Sequence, residues 1–210
     1  MPTFAEFNKI SFKQSLKDPS ARGLVFSNLA VIIIALLEQW NLGTMMFVYW
    51  WQNVIIGFFN VLRILGCKNF TVKNVAAISP EMVWIGKSCV AGFFIIHYGF
   101  FHFGYLSFLK MFFGHSTDMK MVFLSVLIFF INHLFSFIYN YKNDCSNQTI
   151  RQLMFSPYPR IIPMHITIIA GMFILLLLQN AFAEKLVLVF FLTFKTVIDV
   201  KMHVFEHQHP

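Results

Sequence analysis

Long apolar stretches alternate with short polar connections along most of the chain. A helix needs about 20 mostly apolar residues to cross a bilayer, because each residue adds about 1.5 Å of rise against a hydrocarbon core of about 30 Å. Six stretches meet this requirement, at residues 24–43, 44–65, 88–109, 121–139, 161–180 and 186–203. The pattern predicts an all-α, polytopic integral membrane protein, a bundle of six transmembrane helices.

The same pattern divides the chain into three parts. Residues 1–23 mix apolar and lysine positions and are predicted to form a cytoplasmic N-terminal segment, as an interfacial helix or a frayed tail. Residues 24–207 are predicted to form the six-helix transmembrane domain, and residues 208–210 a short tail.

Composition supports a membrane protein and excludes several other classes. Of the 210 residues, 58% are apolar and only 12% are charged, against roughly 45–50% and about 25% in an ordinary soluble domain. A soluble enzyme, a disordered chain and a disulfide scaffold are therefore excluded. The net charge of +7 would suggest a nucleic-acid partner in a soluble chain, but here membrane lipids are the expected partners and nucleic acid is not.

Lysine and arginine positions set the orientation. With a cytoplasmic N-terminus, twelve of the 16 basic residues fall on the cytoplasmic side and three outside, and Lys195 lies within the bilayer. Positive charge is enriched in cytoplasmic loops. We therefore expect both termini inside and a multi-pass protein of the cell membrane.

Ionisable residues inside the spans are the candidates for function, because they are costly at membrane depth. Distances along the helices, at about 1.5 Å per residue, place five of them in the cytoplasmic half: His97, His133, His165, Asp199 and His203. Imidazoles with one carboxylate suit iron, zinc, copper or manganese, and facing helices of a bundle build such sites. The sequence predicts a transition-metal site with these five ligands. A haem with axial histidines is the less favoured cofactor.

Further polar residues surround this candidate site. Lys195 lies one turn from Asp199 and is expected to pair with it. Arg160 precedes the fifth span, where it either binds an anion or anchors the helix at the interface. The other supporting or weaker candidates are His102, Asn53, Asn60, Asn140, Glu206 and His207.

Three functions remain open at this stage. The first is a metal-binding membrane protein, a metalloenzyme or redox component. The second is a proton-coupled transporter or channel that uses the same polar residues as a relay. The third is an accessory structural subunit of a larger membrane complex. A homo-oligomer is compatible with each of them.

Several motifs carry a resemblance to a known family. They are Tyr49-Trp50-Trp51-Gln52-Asn53, His97-Tyr98-Gly99-Phe100-Phe101-His102, His133 with Ser136 and Asn140, Pro157-Tyr158-Pro159-Arg160 with His165, and Lys195 with Asp199, His203, Glu206 and His207. The chain resembles, over most of residues 45–207, a family of prokaryotic six-span membrane proteins catalogued as a domain of unknown function. The resemblance implies that these polar positions form one shared pattern. It also implies Glu at the position of Gln52, so this chain lacks a carboxylate there.

Overall fold

The protein is helical throughout nearly all of the chain that the computed structural model describes, which is residues 19–68, 79–115, 117–147, 149–178 and 181–208. The helices are α1 (Pro19–Leu37), α2 (Leu42–Gly66), α3 (Pro80–Phe113), α4 (Met119–Asn147), α5 (Ile150–Phe155), α6 (Tyr158–Ile166), a π-helical turn (Thr167–Gly171), α7 (Met172–Leu178) and α8 (Ala181–Gln208). The all-α class is confirmed. The N-terminal segment predicted for residues 1–23 lies almost wholly outside the described residues.

Within the described ranges, three helices are long and apolar enough to cross a membrane by length and composition. They are α2, α3 and the Met119–Lys142 part of α4. Local sequence starts the first two. Asn41 caps α2, because its Oδ1 accepts a hydrogen bond from the Thr44 amide at 2.8 Å, and Ser79 caps α3 with Pro80 in the first helical position.

Helix α2 is the central helix, since it packs against α3, α4, α5, α6 and α8. Helix α3 runs antiparallel to it at close range: a Cβ atom on Gly57 would lie 2.6 Å from Cε1 of Tyr98. Helix α4 runs parallel to α2. The starts of the two helices are joined by a hydrogen bond from the Asp118 amide to Thr44 Oγ1 at 3.1 Å. Near their ends, the Lys68 amide donates to the Cys145 carbonyl at 2.7 Å.

Helix α8 also runs parallel to α2, on a different side. The Leu42 amide donates to Glu184 Oε1 at 3.0 Å near the first turns of both helices. About two turns further along each helix, the Tyr49 and Phe191 rings meet edge to face with their centroids 5.0 Å apart. Helix α1 packs against both α8 and α4. Helices α1, α2, α4 and α8 therefore enclose a common interior.

The predicted fifth span, residues 161–180, differs from the structure. The helix begins earlier, at Tyr158, and the π-helical turn divides it. Pro163 has no amide hydrogen for the helix ladder, and the Thr167 hydroxyl donates to the Pro163 carbonyl at 2.8 Å just where the α-helical pattern ends. Sequence hydropathy alone did not reveal this break, because the whole stretch is apolar.

The connection before α6 also differs from a simple surface loop. Short helix α5 buries Leu153 in a cluster with Ile64 and Phe94. The Asn60 side chain of α2 donates to the Leu153 carbonyl at 2.8 Å. The α5 segment is therefore fastened to α2 well before the end of α2 at Gly66.

Candidate functional site

Lys195 and Asp199 form an ion pair in the interior enclosed by α1, α2, α4 and α8. The Lys195 Nζ lies 2.5 Å from Asp199 Oδ2, and the two side chains are 6% and 5% exposed. The expected pairing of these residues is confirmed. Asn28 of α1 binds both partners: its Nδ2 donates to Asp199 at 3.3 Å, and its Oδ1 accepts from Lys195 at 3.0 Å. One amide thus fastens the ion pair of α8 to a second helix.

Two aromatic rings lie close to the Lys195 ammonium group. The Lys195 Nζ lies 4.0 Å from the ring centroid of Tyr49 and 5.3 Å from that of Phe129. Such rings attract a cation through their negative faces. The Tyr49 hydroxyl is buried and has no hydrogen-bond partner within the described part of the chain. The Tyr49 hydroxyl also lies within electrostatic reach of the Asp199 carboxylate.

Gln52 and His133 continue the polar interior between α2 and α4. The Gln52 Nε2 and the His133 Nε2 lie 3.5 Å apart, and the Gln52 Oε1 is buried without a hydrogen-bond partner among the described residues. The charges of Arg160, Lys195 and Arg63 act on the His133 imidazole. His133 therefore lies within electrostatic reach of Lys195. We call Asn28, Tyr49, Gln52, His133, Lys195 and Asp199 the central polar cluster.

Arg160 lies inside the protein near the start of α6, with 7% of its surface exposed. This burial does not fit the interpretation of Arg160 as an anchor at the membrane interface. Its guanidinium contributes instead to the positive charge around His133.

Two other histidines of the predicted site, His97 and His165, lie between α3 and α6, where tyrosines bind them. His97 Nδ1 lies 2.6 Å from the Tyr158 hydroxyl, and His165 Nδ1 lies 3.0 Å from the Tyr105 hydroxyl. Between these pairs, His102 Nδ1 lies 2.9 Å from the Tyr98 carbonyl. We call His97, Tyr98, His102, Tyr105, Tyr158 and His165 the histidine–tyrosine seam.

The four predicted metal ligands whose side chains are described thus lie in two separate places. Asp199 and His133 belong to the central polar cluster, whereas His97 and His165 belong to the seam. His203, Glu206 and His207 are on α8, but their side chains lie outside the described part of the structure. Among the described residues, no group of three or more His, Cys, Asp or Glu side chains is placed to hold a metal ion.

The three asparagines predicted to support ligands make structural hydrogen bonds, either between helices or within one helix. Asn60 holds α5, as described above. The backbone carbonyl of Asn53 accepts a hydrogen bond from the Tyr98 hydroxyl at 3.1 Å. The Asn140 side chain donates to the Ser136 backbone carbonyl, one turn earlier in α4, at 3.0 Å. None of these bonds reaches the ion pair.

Sequence analysis missed two members of the central polar cluster. Asn28 is a single amide within the apolar stretch 24–37, and that isolation is the signal that could have identified it. Tyr49 was noted only as part of a motif. Its role depends on the side of α2 that faces α8, which the sequence does not specify.

In the part of the chain that the structure describes, the fold is all-α, three helices are long and apolar enough to cross a membrane, and an ion pair is buried in the interior. Residues 11–210 match a family of unknown function, DUF6498, and the chain belongs to this family. The resemblance to an uncharacterised family is confirmed. No curated protein and no solved structure matches the chain.

Proposed function

We propose that this chain is a multi-pass membrane protein that moves protons through the central polar cluster, as a proton-coupled transporter or channel. Asp199 takes up and releases the proton, and Lys195 is its counter-charge. Gln52, His133 and the Tyr49 hydroxyl extend the polar route between the helices. The buried Lys195–Asp199 pair is the observation that carries the proposal.

Stability alone gives a weak reason for this ion pair. Removing two charges from water costs several kcal/mol per ion, and an apolar pair of similar volume is often at least as stable. Ionisable residues within membrane helices commonly mark ion pathways and proton relays. A route for protons explains why α8 carries both charges in the interior of the bundle.

Six crossings with both termini inside complete the proposal for topology. The 19 residues of α1, the divided helix α6 to α7, and the 28 residues of α8 supply the three crossings beyond α2, α3 and α4. The distribution of twelve basic residues inside and three outside supports this orientation. The cell membrane is then the expected location.

The π-helical turn between α6 and α7 also supports a functional interior. Single π-helical turns inside α-helices occur frequently at functional sites. Here the π-helical turn packs against α8, where Val187 approaches Gly171 so closely that a Cβ atom would lie 2.8 Å from Val187 Cγ1.

Proton flux into liposomes tests the proposed function. We expect protein reconstituted with a potassium diffusion potential to acidify an enclosed pH dye, and Asp199→Asn to lower the flux at least tenfold, because an amide takes up no proton. Asp118→Asn is the matched control: Asp118 Oδ1 caps α4 at 3.0 Å from the Lys120 amide, and Asn caps equally well. Wild-type flux no greater than that of empty liposomes contradicts the proposal.

Elemental analysis separates the relay from the predicted metal site. The helical spacing of Asp199, His203 and His207 is retained in α8, so a metal at this end remains the second candidate. We expect protein purified in mild detergent to contain no stoichiometric iron, zinc, copper or manganese. One metal ion per chain, lost in Asp199→Asn, would favour the metal site over the relay.

A further inference from the structure

Two histidines of the histidine–tyrosine seam use one ring nitrogen each for a tyrosine. His97 Nδ1 is bound by Tyr158 at 2.6 Å, and His165 Nδ1 by Tyr105 at 3.0 Å. Both histidine side chains are exposed. Their Nε2 atoms make no hydrogen bond to any described residue, so each histidine presents a polar atom at the surface of the bundle.

His97 lies near the middle of α3. It is ten residues from Lys87 and thirteen from Lys110, or about 15 Å and about 20 Å along the helix. The surrounding surface is apolar: Ile96 and Phe100 are exposed. In hydrocarbon, water does not satisfy such a polar group, so an exposed imidazole at this depth needs a partner of another kind.

The tyrosines determine which partner fits. We assign each phenol hydroxyl as the donor to Nδ1, because a phenol is a stronger acid than the N–H of a neutral imidazole, and the imidazole proton is then on Nε2. His97 and His165 then both present an N–H donor to the bilayer. The complementary ligand carries a hydrogen-bond acceptor and is soluble in lipid.

Aromatic rings beside His97 favour a flat ligand. The Phe93 ring stacks on the His97 ring at 5.4 Å and 13°, and the Phe101 ring meets it edge to face at 5.3 Å. Further along the seam, the His102 Nε2 is buried and has no hydrogen-bond partner in the described residues. The seam thus combines flat apolar walls with polar atoms that the protein itself leaves unused.

We propose that the histidine–tyrosine seam binds a lipid-soluble carbonyl compound of the quinone type, which enters laterally from the bilayer. One carbonyl oxygen accepts a hydrogen bond from His97 Nε2, and the ring of the ligand lies against Phe93 and Phe101. Phospholipid head groups lie too near the interface to reach this depth. The proposal depends on the crossing of the membrane by α3 and does not depend on the proton relay.

Quenching of tryptophan fluorescence by decylubiquinone, with the protein in lipid nanodiscs, tests this site. We expect saturable quenching by the wild-type protein and about tenfold weaker binding by His97→Phe, which keeps a ring and loses the donor. Tyr158→Phe is expected to weaken binding several-fold, because the imidazole proton then distributes over both nitrogens. His115→Phe, in an exposed connection, is the control and should bind as the wild type does. Circular dichroism verifies that each variant is folded.

Competition tests the requirement for a carbonyl group. Decylbenzene has a ring and the same tail but no acceptor, and it should not displace decylubiquinone. Equal competition by decylbenzene, or equal binding by wild type and His97→Phe, overturns the proposal. A wild-type dimer that dissociates in His97→Phe and binds no quinone also overturns it, since a second copy would then cover the seam. Proton flux is measured on the same samples, so failure of the relay and failure of this site are distinguishable.

Discussion

Replacing Lys195 alone by Met should destabilise the folded protein by about 3–5 kcal/mol, because it leaves the Asp199 carboxylate buried without its counter-charge. The double variant Lys195→Met/Asp199→Leu should recover part of this loss, since it removes both charges and fills the volume with apolar atoms, while the buried Asn28 amide loses its two partners. The expected result is a strong, favourable coupling between the two substitutions. Thermal unfolding in detergent, followed by intrinsic fluorescence, measures it.

Lys185→Met is the control for this experiment. Lys185 is an exposed lysine on the same helix, and its replacement should change the free energy of unfolding by less than about 0.5 kcal/mol. If Lys195→Met is as stable as Lys185→Met, the ion pair is not buried as described. If the double variant is no more stable than Lys195→Met, the pair is needed for folding itself, and the argument for a functional pair fails.

Gly57→Ala should destabilise the protein by about 1–3 kcal/mol through overpacking between α2 and α3. The new Cβ would lie 2.6 Å from Cε1 of Tyr98. That ring has little freedom to move, because its hydroxyl is bonded to the Asn53 backbone carbonyl and the ring stacks on Phe94. The same unfolding assay measures the loss.

Gly92→Ala is the matched control for Gly57→Ala. Gly92 lies on α3, and a Cβ atom there would meet no heavy atom within 4 Å. Alanine is a better helix former than glycine by about 1 kcal/mol, so this variant should be at least as stable as the wild type. Equal stability of the two alanine variants would contradict the close approach of α2 and α3 at Gly57.

Hydropathy was sufficient to predict the class of fold and the identity of the long helices. The stretches 44–65, 88–109 and 121–139 correspond to α2, α3 and the part of α4 that is able to cross a membrane. The i, i+4 spacing of Lys195 and Asp199 was also enough to predict their pairing, because such residues are neighbours on a helix whatever surrounds it.

The arrangement of the histidines could not be predicted in the same way. Counting residues gives the depth of His97 and His165 but not the direction around the helix axis in which they point. The structure turns both toward tyrosines between α3 and α6, whereas His133 faces Gln52. Histidines at a similar depth therefore need not share a metal site, because the packing of the helices decides which side chains meet.

The break within the fifth span had a local signal that depth counting does not use. Pro163 is visible in the sequence, but proline is tolerated in the first turn of a helix as well as at a kink. The π-helical turn packs against α8, and the sequence alone does not specify this packing. In the same way, Arg160 is buried near the start of α6, although a hydropathy profile places it at the end of a surface connection.

We propose that protons move by way of the Lys195–Asp199 pair in a membrane-embedded interior. The decisive measurement is proton flux into liposomes that contain the Lys195→Met/Asp199→Leu variant, after circular dichroism has verified that this variant is folded. We expect the variant to show only the leak of empty liposomes, while the wild-type protein acidifies the interior. Undiminished flux through the folded double variant would show that protons do not use this pair.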